Sequence, residues 1–82
     1  MKTRRNRTIT DKLLEIERDL LKGTGLSVEY CTSYISWAMK FGKITDREFD
    51  YFYDLVLYRL GRLSVDEEIT LMDLVATRPI QL

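Results

Sequence analysis

Histidine is absent from this 82-residue sequence, cysteine, proline and tryptophan occur once each, and glycine occurs four times. Each shortage excludes a class of protein. Without histidine there is no usual triad base, no common proton shuttle near neutral pH and no imidazole for a transition metal. Cys31 alone closes no intrachain disulfide and supplies no paired Cys/His zinc framework. It fits a reducing compartment, where a thiol behaves as a small buried hydrophobe. Gly23 and Gly25 flank only Thr24 and form a hinge, not a phosphate-binding loop. Every window of roughly 20 residues is interrupted by charge, which excludes a membrane-spanning helix. Asn6, Thr8, Thr10 and Asp11 stand where a secretory leader needs its apolar stretch, so the expected location is the cytoplasm. No catalytic residue, cofactor, metal or small-molecule substrate is expected, and what remains is binding.

Charge is balanced at thirteen basic and thirteen acidic residues, but unevenly placed. Lys2, Arg4, Arg5 and Arg7 fall in the first seven positions, where no acid occurs. The rest of the chain holds nine basic against thirteen acidic residues, which argues against a nucleic-acid-binding body. The basic start admits two readings, a solubilising terminus or an arm that neutralises phosphates.

Three glycine-punctuated boundaries, each followed by a hydroxyl cap, predict an all-α fold: a compact bundle of about four helices with short connections. Gly25-Leu26-Ser27, Gly42-Lys43-Ile44-Thr45 and Gly61-Arg62-Leu63-Ser64 each end one helix and open the next. Glu48 follows Thr45 by three, and Glu67 follows Ser64 by three, the spacing of a capping box. The predicted helices are 10–22, 28–41, 46–60 and 65–77, with Pro79 stopping the last. A basic arm over 1–9, one domain over 10–78 and a tail over 79–82 follow.

Helix 1 carries one stripe, Ile9, Leu13, Ile16 and Leu20. Helix 2 is apolar over more than half its circumference and is expected at the centre; Cys31 reads as inert core, and Tyr30, Tyr34, Trp37 and Phe41 read as packing in preference to a base-stacking platform. Helix 4 offers Val65, Ile69, Met72 and Ala76, flanked by Leu71 and Val75, as a closing face. Helix 3 has more apolar surface than one core face needs. Phe49, Phe52, Tyr53, Val56 and Leu60 form the expected core arc, and Tyr51, Leu55 and Tyr58 form a second stripe beyond Glu48 and Arg59. That stripe is either a partner or homodimer surface, or simply more core. Asp46, Asp50 and Asp54 line a third side, a run of like charges that suits either solvent or a basic partner.

Ala38, Gly42 and Thr45 have the spacing of a helix-turn-helix. Glu48 stands where its recognition helix needs an apolar anchor, however, and the three aspartates oppose phosphate. In its short length, its basic start and the run from Gly25, Leu26 and Ser27 to Phe41, Gly42, Lys43, Ile44 and Thr45 before an acidic aromatic helix, the chain resembles the small helical accessory proteins of bacteriophages and mobile elements. That resemblance implies a protein that binds and inhibits or redirects a host protein, or regulates transcription. The expected function is a non-enzymatic protein–protein interaction module, a homodimer that binds a basic partner through helix 3 with Tyr51, Leu55, Tyr58, Asp46, Asp50 and Asp54. The alternative is a nucleic-acid-associated regulator using Lys2, Arg4, Arg5 and Arg7.

Overall fold

The structure, a computed structural model, describes residues 6–80, and these form four helices and no strand: α1 (Arg7–Lys22), α2 (Val28–Lys40), α3 (Asp46–Arg59) and α4 (Val65–Thr77). The all-α bundle expected from the boundary signals is what the chain adopts. Ser27, Thr45 and Ser64 cap α2, α3 and α4, each accepting a backbone N–H from the third residue onward. Both capping boxes form: Thr45 N–H donates to Glu48 Oε1 at 2.9 Å, and Ser64 N–H to Glu67 Oε1 at 2.8 Å. The ends of α2 and α3 share a second device. Lys43 N–H reaches back to the Ala38 carbonyl and Gly42 N–H to Met39, and Arg62 and Gly61 repeat the pattern on Leu57 and Tyr58, so each helix ends in a Schellman turn.

α1 starts three residues earlier than its apolar stripe predicts. Asn6 is the cap, its side chain accepting the Thr8 N–H at 2.7 Å. Arg7 is thus an exposed helical residue and not part of an arm. Lys2, Arg4 and Arg5 lie outside the described residues. Between α1 and α2, Asp19 accepts the Leu26 N–H at 3.0 Å and folds the chain over itself. Gly25, at φ +80°, is required there, because a Cβ would run into the Asp19 carboxylate.

α3, not α2, is the central helix. It packs against α1, α2 and α4, and its buried face consists of Glu48, Tyr51, Phe52, Leu55 and Val56. The expected core arc is rotated accordingly: Phe52 and Val56 are buried and Phe49 half-buried, whereas Tyr53 and Leu60 are exposed. Glu48 explains the rotation. Its carboxyl is turned back onto Thr45 in the capping box and the residue is wholly enclosed under the packed helices, so it does not divide two stripes as a solvated charge would. The two stripes fuse into one broad core face.

Leu13, Ile16 and Leu20 of α1 complete the core with Cys31, Ile35 and Ala38 of α2, Leu71 of α4, and Ile80 from the segment after it. Burial pushes the Cys31 thiol up, with the Asp19 and Glu15 carboxylates adding to the effect, which keeps it protonated. The molecule is 19 Å thick at its narrowest, about two helix diameters. In a two-layer body each outer helix keeps one side in solvent, and the apolar content of those sides decides what they do.

Candidate functional site

The residues expected to form an apolar partner face on α3 do not form one. Tyr51 and Leu55 are fully buried and Tyr58 is half-buried, all against the protein's own core. Tyr51 has a specific reason to be inside: its hydroxyl donates to Glu17 Oε2 of α1 at 2.6 Å. The other oxygen of Glu17 takes the guanidinium of Arg78 at 2.9 Å. One buried carboxylate therefore joins α1, α3 and the segment after α4. Burial, then the hydrogen bond and charge of Glu17, raise the Tyr51 hydroxyl well above its ordinary value, so it stays a neutral donor. Leu14, Arg18, Leu21 and Lys22 line an open groove of about 340 Å³ beside this cluster. Its only carboxylate is Glu17, already committed to Tyr51 and Arg78, so the cluster is a clasp between elements.

Apart from Tyr53 and Leu60, the exposed large apolar side chains lie on or beside α4 and α2 instead. α4 turns Leu71 into the core and Leu74 and Val75 against it. That leaves the expected closing face outside: Val65 is 74 % exposed, Ile69 58 % and Met72 40 %, with Ala76 exposed on the same side. These four recur at i, i+4, i+7 and i+11, one continuous stripe along the helix. Sequence periodicity marks both apolar sides of α4; only packing tells which one the bundle uses. Leu71, Leu74 and Val75 meet α3, and the more regular stripe is left open.

Carboxylates border that stripe. At about 100° per residue, Asp66 and Asp73 flank it on one side and Glu68 on the other, and all three are exposed. α4 contains no basic residue, and residues 46–77 hold eight of the chain's thirteen acids against three of its thirteen basic residues. The aspartate run of α3 joins this field: Asp46 and Asp50 are exposed and Asp54 half-buried, and an open groove of about 210 Å³ is lined by Asp54, Leu63, Asp66, Glu67 and Thr70. Partial burial, with the like charges of Asp50 and Glu67, raises Asp54 above the ordinary carboxylate range. Glu67 moves the other way, held down by its hydrogen bonds to the Ser64 cap. Among the described residues no group of acids is arranged to hold a metal ion, so this is a field of separate charges and not a chelating site. No helix among them is long and apolar enough to cross a membrane.

The second exposed surface is on α2. Tyr30, Tyr34, Trp37 and Phe41 form a ladder of rings with centroids 6.4, 5.4 and 6.0 Å apart. Packing was their expected role, yet Tyr30 is 42 % exposed, Trp37 40 % and Phe41 59 %. Cys31, Ile35 and Ala38 supply the core side of α2 and the ladder lies beside them, because α3 occupies the centre. Lys12 sits over the Tyr30 ring and Lys40 over Phe41, at 5.4 and 5.9 Å. Comparison of the chain with protein-family models, curated proteins and solved structures returns no significant match.

Proposed function

We propose that this chain is a non-enzymatic interaction module that binds a basic, amphipathic segment of another protein through α4, and so blocks or redirects that protein. The observation that supports this is the open Val65–Ile69–Met72 stripe bordered by carboxylates, one of which, Asp66, also lines a groove with Asp54 of α3. An amphipathic helix laid along that stripe buries its apolar side on Ile69 and Met72. Its flanking Lys and Arg meet Asp66, Asp73 and Glu68. Asp46, Asp50 and Asp54 steer the approach and discriminate against acidic competitors. Tyr51, Leu55 and Tyr58 have no direct part in it; they hold α3 in place.

The test uses substitutions at exposed positions, where the fold is not at stake. A double variant, Ile69→Asp with Met72→Asp, is expected to retain the far-ultraviolet circular dichroism of the parent, because both side chains are exposed. It is expected to lose the basic proteins that the parent captures, and raised salt is expected to weaken the parent's capture, since exposed charges are screened. Capture that the double variant retains in full overturns the proposal.

A further inference from the structure

The ladder on α2 is separate from the α4 face, and we infer that it is a homodimer seam in which two copies of α2 pack antiparallel across a two-fold axis. Three features of the helix favour a second copy as its occupant. The first is spacing. Tyr30, Tyr34, Trp37 and Phe41 are separated by four, three and four residues, which reads the same in both directions. Antiparallel pairing therefore sets Tyr30 of one copy against Phe41 of the other and Tyr34 against Trp37, ring on ring at every rung, as an isologous interface requires.

The second is charge. Glu29 and Lys40 are exposed on the same flank of the ladder, at opposite ends of α2. A two-fold perpendicular to the helices brings like flank to like flank with the ends exchanged. Glu29 of each copy then lies within about 3 Å, along the helix axis, of the level of Lys40 in the other. Both ends gain an opposite-charge pair, whereas parallel packing carries the charged flanks of the two copies to opposite sides of the seam and makes neither pair. The third is area. The open parts of the three exposed rings amount to roughly 300 Å² per copy. With the flanking side chains of both copies, pairing buries on the order of 1,000 Å², the lower edge of specific interfaces. An area at that edge fits a weak, concentration-dependent dimer.

Sedimentation of the full chain from low micromolar to near-millimolar concentration tests this, with the emission of Trp37, the only tryptophan, as a local reporter. The mass is expected to rise toward that of two chains, with a blue shift of Trp37 as it leaves water. Glu29→Lys and Lys40→Glu are each expected to weaken the dimer about fivefold or more, and combining them is expected to restore most of the loss. Circular dichroism of each variant separates loss of pairing from loss of fold. The inference is overturned by a chain that stays monomeric throughout, by a dimer indifferent to the single charge reversals, or by one abolished by Ile69→Asp. It is equally overturned if Trp37 shifts only on addition of a single-stranded oligonucleotide.

Discussion

Glu17 is the residue on which the packing turns. A carboxylate with almost no solvent access costs stability unless both oxygens are occupied, and here Tyr51 and Arg78 occupy them. Tyr51→Phe removes one partner while keeping the ring, and leaves the charge with Arg78 alone. The expected loss is about 2 kcal/mol, as for a hydrogen bond to a charged group, read as a lower urea midpoint at unchanged slope. An unchanged midpoint would show that the carboxylate is already solvated. Nothing in the one-dimensional pattern announces this clasp, because Tyr51 and Glu17 are thirty-four positions apart. Glu17 also sits among charged neighbours that look like an ordinary wet helix face.

At the scale of the elements, helix boundaries were legible because capping is local chemistry. Ser27, Thr45 and Ser64 act on backbone groups three residues away, and the helices they open begin where the sequence predicts. Asn6 was missed, since no glycine boundary precedes it as one does at the other three caps. Which side of a helix faces inward was less legible. Glu48 reads as a divider on α3 because glutamate is normally solvated, but here it is wholly enclosed with its carboxyl bonded to the Thr45 N–H. α4 carries two apolar sides, and its pattern alone does not rank them.

The aspartate run of α3 gives this scale its own prediction. Asp54 has a folded-state value above its ordinary 3.8, so the folded chain holds that proton more tightly than the unfolded chain does. Ionisation therefore costs stability: the cost is absent below the ordinary value and complete once pH has risen through the folded one. Asp54→Asn is expected to stabilise the protein at neutral pH by about a few tenths of a kcal/mol, the size of a relieved like-charge contact. The gain should vanish as pH falls below the ordinary value, as read from urea denaturation at both pH values. The same substitution removes charge from the partner-facing field, so it is expected to weaken capture of a basic partner while strengthening the fold.

For the whole molecule, a two-layer body built around α3 leaves α2 and α4 each with an open side, and on both that side is apolar. The sequence disclosed a surplus of apolar surface. It did not place that surplus, because location depends on which helix takes the centre, a property of the assembled bundle and not of any one segment. A division of labour is expected, with α4 meeting a basic partner and α2 meeting a second copy. Binding at α4 is tested by a titration of isotope-labelled protein with a Lys/Arg-rich amphipathic helical peptide, followed by backbone amide shifts at two salt concentrations. Shifts are expected along the outer side of α4, from Val65 to Ala76, and around Asp50 and Asp54, shrinking as salt rises. Shifts confined to α2 or α1, or none at all, would contradict it.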